Sequence, residues 1–274
     1  MLTLDEVLAH DDPYPHVLEL AASGDRSLIA PARAAAQRFA DASDWHGAGL
    51  MARILVGVEG SQAVPLLLAI LAPVLRDEHF EDPEMLRLSV GRALSEDPAG
   101  CRSTVLAAVA SSDPDLHRAG LWALGAIAGP DDLGLIRQGM AGPDPSTRRQ
   151  TLTGLSDDAA LREIAVEALR DSDEWVRREA VIRLGWSGPA SMLDLLIPMA
   201  ADPSSAVRSI VGEAIVRLAA PRPESHDAAA EALRSLLTDT NHWARTRAAV
   251  GLSVLRGAGS GPGGPLVGED GVEV

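Results

Sequence analysis

The sequence of 274 residues contains no lysine, so all 24 of its basic residues are arginine. This absence excludes a Schiff-base lysine, a phosphate-loop lysine and a Ser-Lys dyad, because each of these needs the primary amine of lysine. We attribute the missing lysine to biased codon usage in a GC-rich bacterial genome rather than to selection against the side chain. The range of possible enzyme chemistry is narrow in either case.

Cysteine and aromatic residues are also scarce. The single cysteine, Cys101, excludes an intramolecular disulfide and a cysteine metal cage, and its place at the start of an apolar helix predicts a buried spectator. Aromatic residues make up 3% of the chain against 46% hydrophobic residues, so the core must consist of Ala, Leu, Val and Ile. This composition favours helices over strands.

The chain also has no long apolar run and no excess of positive charge. The longest uncharged apolar run, 63–75, is shorter than the roughly 18 to 20 residues that cross a bilayer, and we expect a buried helix there. The N-terminus lacks the basic start of a secretion signal, which predicts a cytoplasmic protein. The net charge of −15 would repel nucleic acid and anionic membranes, so we expect neither as a partner.

What the chain does contain is a repeated pattern, clearest at Asp171-Ser-Asp-Glu-Trp-Val-Arg-Arg-Glu-Ala-Val-Ile-Arg-Leu-Gly185. With Arg177 as the reference position, the equivalent residues elsewhere are Gly47, Arg87, His117, Arg148, Arg208 and Arg245. Four positions before each reference stand Ser43, Pro83, Asp113, Asp144, Asp173, Ser204 and Asn241. All but the proline accept hydrogen bonds from the free amides of a helix start, so we predict that a helix begins there in each copy.

An aliphatic residue stands seven positions after each reference. These residues are Ile54, Leu94, Leu124, Leu155, Leu184, Ile215 and Leu252. Seven residues are two helical turns, so the position lies on one face of each helix and predicts core. Because such a helix cannot bury its apolar face alone, the copies must stack on one another.

Successive predicted caps lie 40, 30, 31, 29, 31 and 37 residues apart, with insertions near 76–82 and 221–227. A second helical stretch separates the capped helices, as at 158–170, 191–200 and 228–237, so the unit is helix, turn, helix.

We therefore predict one continuous all-α domain, an α-α superhelix of about six to seven helical hairpins, over 43–256. Residues 1–42 are predicted to form a divergent helical cap. The Gly- and Pro-rich residues 257–274 have too little apolar surface to fold and are predicted to be a disordered tail.

The pattern resembles the HEAT-repeat superfamily, and within it the short HEAT-like repeats first associated with phycobilin lyase subunits. The resemblance rests on Asp171-x-Asp173-x-x-Val176-Arg177-x-x-Ala180-x-x-x-Leu184-Gly185, on Ser111-x-Asp113-Pro-Asp-Leu116-His117-x-x-Gly120-x-x-x-Leu124-Gly125 and on Asp202-x-Ser204-x-x-Val207-Arg208. It implies a solenoid whose second helices line a concave face, with neighbouring units tied by Arg and Asp. Gly47, His117 and the Ser146-Thr147-Arg148 unit depart from the pattern, so we expect irregular stacking there.

Two interpretations fit the recurrent arginines. Their planar guanidinium groups suit an anion-binding ladder, yet Glu81, Asp171, Asp202 and Asp239 stand six positions before four of them. We favour structural ion pairs, in which each carboxylate in the turn pairs with the arginine that follows it and joins neighbouring repeats.

The tryptophans allow a similar choice. Trp45, Trp175 and Trp243 share one repeat position in the first turn of a capped helix, which suits either an interaction hot spot or the rim of the core. We favour the rim and retain Trp175 and Trp243 as candidate binding residues. Trp122 and Trp186 lie deeper in their helices and are predicted to pack inside.

The second helices carry the other candidate binding residues, sparse charges among aliphatic side chains. They are Arg102, Arg137, Arg162, Glu163, Glu167, Glu231 and Arg234. Such a surface suits a peptide or a partner helix, although each charge is equally explained as the solvated side of an amphipathic helix.

Two clusters offer metal-ligating side chains, the acidic run 77–82 and the set His10, Asp11, Asp12 and His16. Neither has the ligand spacing of a known metal loop, so we predict no metal site and no cofactor.

We expect a non-catalytic protein- or peptide-binding scaffold or adaptor, of unknown oligomeric state, that uses its concave face. Two alternatives stay open. One is an enzyme or enzyme subunit resembling the bilin lyases, which would hold a tetrapyrrole or a modified protein in the groove. The other is a HEAT-like DNA glycosylase, which would need a basic groove that the net charge disfavours.

Overall fold

The computed structural model describes residues 4–8, 10, 12–76 and 83–257. Within these ranges the regular structure consists of α-helices and short 3-10 turns, without a strand, which confirms the all-α repeat fold. The chain divides into two compact units, Met1–Ser156 and Asp157–Val274, where the repeats predict one continuous domain. The acidic run 77–82 and nearly all of the predicted tail lie outside the described residues.

The first unit contains ten helices among its described residues, paired as the sequence predicts. They are α1 (Leu4–Leu8), α2 (Tyr14–Ala22), α3 (Ile29–Asp41), α4 (Trp45–Glu59), α5 (Val64–Leu71), α6 (Glu84–Glu96), α7 (Pro98–Val109), α8 (Pro114–Ile127), α9 (Leu133–Met140) and α10 (Pro145–Gly154). The capped helix α4 packs against α2, α3 and α6, and the capped helix α8 packs against α7 and α10. Neighbouring capped helices therefore lie side by side.

Helices α4 and α5 are both strongly apolar. By length and composition alone, the stretch Trp45–Leu71 is the one described segment long and apolar enough to cross a membrane, and half of its most apolar window is buried in the protein. The chain leaves the α-helical conformation at Gly60, whose φ is 60°, and continues through a 3-10 turn into α5. Leu67, Leu68 and Leu71 of α5 are buried, as predicted for the apolar run.

The predicted helix starts are confirmed where an aspartate begins α8 and α10. Asp113 accepts hydrogen bonds from the amides of Asp115 and Leu116, and Asp144 does the same for the next capped helix. The prediction at Ser43 is wrong by one residue, because Asp44 caps α4 and accepts from the amide of Gly47. At Pro83 the side chain makes no cap hydrogen bond.

Two departures from the repeat pattern have local causes. A Cβ atom at Gly47 would lie 2.6 Å from the ring of Phe39, so only glycine fits there. The ring of His117 lies 2.6 Å from the carbonyl oxygen of Val109, measured from Nδ1. Gly47 and His117 therefore each lie against a neighbouring helix, α3 and α7 respectively.

The second unit is the more regular of the two. Its described helices are α11 (Ala159–Ala168), α12 (Glu174–Ser187), α13 (Leu193–Leu196), α14 (Ser205–Ala219), α15 (His226–Leu236) and α16 (His242–Gly257). The capped helices α12, α14 and α16 pack side by side in one layer, while α11, α13 and α15 pack on them as the second helices. Asp173, Ser204 and Asn241 cap the three helices of the first layer as predicted.

The predicted core position is confirmed in every copy of the repeat. All seven of its aliphatic residues are buried: Ile54, Leu94, Leu124, Leu155, Leu184, Ile215 and Leu252. Leu155 fills the position although α10 ends one residue earlier.

Candidate functional site

The recurrent arginines of the second unit join consecutive repeats. Arg177 on α12 forms a two-point ion pair with Asp202, with Nε to Oδ2 at 2.8 Å and Nη2 to Oδ1 at 2.9 Å. Its Nη1 donates to the carbonyl oxygen of Asp171 at 3.0 Å. One guanidinium thus binds the turn before its own helix and the turn before the next one.

Arg208 repeats this arrangement one step further along. Its Nε lies 2.5 Å from Oδ2 of Asp239, and its Nη1 donates to the carbonyl oxygen of Asp202 at 2.7 Å. The predicted tie is confirmed, but the predicted pairing is wrong in detail. An arginine takes the backbone carbonyl of the aspartate six positions before it and the carboxylate of the equivalent aspartate in the next repeat.

Both aspartates are kept ionised by these contacts. Burial alone would raise the pKa of Asp202, but hydrogen bonds from Arg177 and from the amide of Ser204 outweigh it, so the pKa is lowered. For Asp239 the hydrogen bond from Arg208 is the main cause of a lowered pKa. The two arginines serve the fold, and an anion-binding ladder would have to displace these carboxylates.

The first unit uses a different arginine for the same purpose. Arg118, one position after the reference, is buried and bridges Asp115 at 2.8 Å and Asp144 at 3.1 Å. Arg148 at the reference position donates to the carbonyl oxygens of Gly142 and Pro143.

Arg102, a predicted binding residue, is paired with a carboxylate of the same unit. Its guanidinium forms a two-point ion pair with Asp132, at 2.7 and 3.0 Å, where α9 is about to begin. This pair lowers the pKa of the Asp132 carboxyl, mainly through the hydrogen bond from Arg102. The second-helix arginine of the first unit that stays exposed is Arg137.

The second helices of the second unit carry most of the other candidates. Each helix buries one side against the capped layer and exposes a stripe of side chains on the other. We call these exposed residues the second-helix face: Glu163 and Glu167 of α11, Asp194 and Leu195 of α13, and Asp227, Glu231 and Arg234 of α15. Arg162 lies beside this face and donates to the carbonyl oxygen of Asp157 at 2.7 Å.

Sequence reasoning missed the centre of this face. Leu195 is 37% exposed although it belongs to an apolar helix. The signal was the spacing of the leucines: Leu193 and Leu196 are buried, and Leu195 is two residues from Leu193, which is about 200° around a helix. Pro198 follows α13, which is a single turn continued by a 3-10 turn.

The tryptophans divide between core and surface. Trp122 is buried, as predicted, and Trp45 and Trp175 are half-buried, which suits the rim of the core. The prediction that Trp186 packs inside is wrong, because 40% of it is exposed and Arg217 lies over its ring at 4.4 Å. Trp243 is 37% exposed, with Arg247 at 5.5 Å from its ring centroid.

The remaining candidates are the metal-ligating side chains and Cys101. No group of three or more described His, Cys, Asp or Glu side chains has the geometry to hold a metal ion, although the rings of His10 and His16 meet edge to face at 4.6 Å. Cys101 is fully buried, and burial with the nearby charge of Asp97 raises the pKa of its thiol to about 11. The thiol is buried, as predicted.

Comparison with known proteins supports the repeat assignment. Residues 135–216 match the family model for HEAT repeats, while no curated protein matches the chain. Two crystal structures of engineered proteins are similar, one at 19% identity (71% of this chain, 97% of the other, TM-score 0.45) and one at 17% (91%, 76% and 0.43). The X-ray structure of YibA from E. coli is similar at 18% identity, over 92% of this chain and 93% of YibA, with a TM-score of 0.41. The family match and the hairpin repeats support the HEAT-repeat superfamily and a HEAT-like repeat scaffold.

Proposed function

We propose that the protein is a non-catalytic scaffold or adaptor that binds a basic segment of another protein along the second-helix face. The observation that carries this proposal is the composition of that face. The exposed positions of α11, α13 and α15 include five carboxylates, one arginine and Leu195. An apolar group rimmed mainly by negative charge suits a partner that presents an apolar side chain between basic ones.

The spacing of the carboxylates supports an extended or helical ligand. Glu163 and Glu167 are four residues apart on α11, and Asp227 and Glu231 are four residues apart on α15. Each pair therefore stands one helical turn apart on the same side of its helix. Leu195 belongs to the helix that comes between these two in the repeat order, so the partner would meet carboxylates on both sides of an apolar contact.

The charge of the whole chain favours the same partner. A net charge of −15 attracts a basic segment over a longer range than any single ion pair and raises its association rate. Affinity would then come from many shallow contacts on a preformed surface, with Leu195 as the desolvated anchor.

The test is affinity purification of the full chain from its native host, followed by titration of the captured protein against purified variants. We expect E163R/E231R to weaken binding by about 10-fold or more, since it places like charges against the partner. The matched control E19R/E96R changes the net charge equally at exposed positions of the first unit. Equal binding by both variants, or equal loss, would rule out the second-helix face.

An enzyme or enzyme subunit resembling the bilin lyases is the alternative, with the carboxylates of the same face in acid-base roles. A chromophore that copurifies with the full chain, visible as absorbance beyond the protein band, would favour it. Salt-sensitive retention on DNA would favour a HEAT-like glycosylase.

We further propose a cytoplasmic location. Fractionation of the native host, with the chain followed by immunoblotting, tests it; recovery in the membrane or secreted fraction would contradict it.

A further inference from the structure

A continuous line of contacts crosses the capped layer of the second unit on its outer side. It begins at Trp186 on α12, whose ring lies 4.4 Å from the guanidinium of Arg217 on α14. Arg217 lies 3.4 Å from Oε1 of Glu213, and Arg247 on α16 lies 3.4 Å from Oε2 of the same carboxylate. The line ends where Arg247 covers the ring of Trp243 at 5.5 Å. We call these five residues the Trp–Arg strip.

The strip is held in place by the layer beneath it. Arg247 donates from Nη1 to the carbonyl oxygen of Ser209 at 2.9 Å, and the carboxylate of Glu213 forms ion pairs with both arginines. The two tryptophans nevertheless expose 37% and 40% of their surface. Ordered tryptophans stacked with arginines are the residue types that dominate protein interfaces.

The surroundings of the strip are apolar for a surface. In the repeat register, Ile182 of α12 and Val250 of α16 are equivalent to Glu213, and both are half-buried beside it. Trp175 is equivalent to Trp243, is also half-buried, and has Arg178 over its ring at 5.8 Å. Arg178 and Glu179 follow Trp175 by three and four positions, so the three helices present aromatic and aliphatic groups between charged ones.

The order of the strip is the same from either end: Trp, Arg, Glu, Arg, Trp. A two-fold contact needs one patch that matches itself, so that residue i meets residue j and j meets i. An axis near Glu213 would bring each tryptophan against the aromatic or guanidinium groups of the other copy. The two Glu213 carboxylates would meet near the axis, with Arg217 and Arg247 of both copies around them.

The local charge of this face is compatible with self-association. Two chains of net charge −15 repel one another, so they associate best where that charge is locally absent. The two arginines and one carboxylate of the strip give it a local charge of +1, opposite in sign to the chain.

The area is sufficient for a dimer. Helices of 14, 15 and 16 residues are about 22 Å long, and three of them side by side are roughly 30 Å wide. The face is therefore about 600 Å² per copy, so a two-fold contact buries about 1,200 Å² in total, which meets the lower bound for a specific interface.

We infer that the Trp–Arg strip is a dimerisation surface, and that its occupant is the same strip of a second copy of this chain. The second-helix face lies on the other layer of the same unit, so it stays free in the dimer. Two copies would then present two binding faces to a partner, which raises avidity.

The experiment is sedimentation velocity on the full chain from about 1 to 100 µM. We expect a dimer at the upper end of this range, and we expect W186A/W243A to raise its dissociation constant by about 30-fold or more, as hot-spot truncations do. R217E keeps both tryptophans and should have a similar effect, because it sets carboxylates against Glu213 of both copies. Circular dichroism establishes that each variant is folded.

The matched control is Y14A/L88A, which removes two large side chains of the first unit that are 43% and 63% exposed. It should leave the dissociation constant unchanged. A wild-type chain that stays monomeric throughout, a dimer that survives both strip variants, or equal loss in the control would each overturn the inference. E163R/E231R should still dimerise, so failure of this inference and failure of the proposed function are distinguishable.

Discussion

At the scale of the residue, Asp202 joins two repeats through both its side chain and its backbone. Its carboxylate binds Arg177 of the preceding repeat and accepts a hydrogen bond from the amide of Ser204, the residue that caps α14. Its backbone carbonyl oxygen accepts a hydrogen bond from Arg208. Asp202→Asn leaves the half-buried guanidinium of Arg177 without its counter-charge, and we expect a loss of about 3 kcal/mol in the free energy of unfolding. Urea denaturation followed by circular dichroism measures it. Asp227→Asn, at an exposed helix start, should change the value by no more than about 0.5 kcal/mol.

The contribution of Asp202 should depend on pH in one direction. Because its pKa in the folded chain is lowered, the stabilisation is complete above the unfolded pKa of about 4 and is lost as the pH falls through the folded pKa. The gap in stability between wild type and Asp202→Asn should therefore be constant near neutral pH and shrink below about pH 4. A gap that widens on acidification would contradict the ion pair as its cause.

Cys101 should be inert in the folded chain. A thiol with a pKa of about 11 is almost entirely protonated at neutral pH, and the thiolate is the reactive form. We expect an aromatic disulfide reagent to label Cys101 only as fast as the chain opens, and at once in urea. Rapid labelling without denaturant would show that α7 leaves the core.

At the scale of the element, close helix packing reverses the usual effect of a glycine-to-alanine substitution on stability. In an exposed helix, Gly→Ala stabilises by about 1 kcal/mol. At Gly120 in α8, however, an added Cβ would lie 2.4 Å from the backbone nitrogen of Val109, whereas at Gly91 in α6 nothing lies within 4 Å.

We therefore expect opposite signs from the two substitutions. Gly120→Ala should destabilise by about 1 to 3 kcal/mol because the helices must separate, and Gly91→Ala should stabilise by up to about 1 kcal/mol. Thermal unfolding of the two variants measures the difference. Stabilisation by both would contradict the close packing of α7 on α8.

The elements themselves were predictable because each signal is local. Asp173 was identifiable as a cap and Leu184 as core from one repeat alone, since both depend on positions along a single helix. The exception is the start of α4, where two adjacent residues, Ser43 and Asp44, can both cap a helix. The repeat register predicted Ser43, whereas Asp44 is the cap.

The contacts between elements were less predictable. Nothing in one repeat shows that the carboxylate of Asp202 turns toward the preceding arginine, because that depends on how far one hairpin is displaced from the next. The wrong prediction for Trp186 has the same cause. Its place near the end of α12 suggests a core residue, but its ring lies on the outer side of the helix and contacts Arg217 of α14.

At the scale of the whole molecule, the two layers of the second unit present chemically different surfaces. The second-helix face is acidic, while the Trp–Arg strip is aromatic with a small positive charge. The aspartates that join the repeats lie in the turns and their arginine partners lie near the starts of α12 and α14, and none of them belongs to either surface. A repeat built this way can vary its surfaces without changing its core.

The division into two compact units predicts that stability is not shared evenly along the chain. Leu184 in α12 and Leu94 in α6 are both fully buried core residues, one in each unit. Leucine-to-alanine changes at such sites cost about 2 to 5 kcal/mol because a cavity is left behind. In a repeat protein this cost acts first on the hairpins that touch the cavity.

Native-state hydrogen exchange read by mass spectrometry tests this directly. Leu184→Ala should speed amide exchange in peptides from 157–257 and leave those from 12–76 and 83–156 nearly unchanged, whereas Leu94→Ala should do the reverse. Equal acceleration everywhere in both variants would mean that the chain opens as one cooperative body. The two leucines are equivalent in residue type, burial and repeat position, so any difference in the pattern reports the unit and not the substitution.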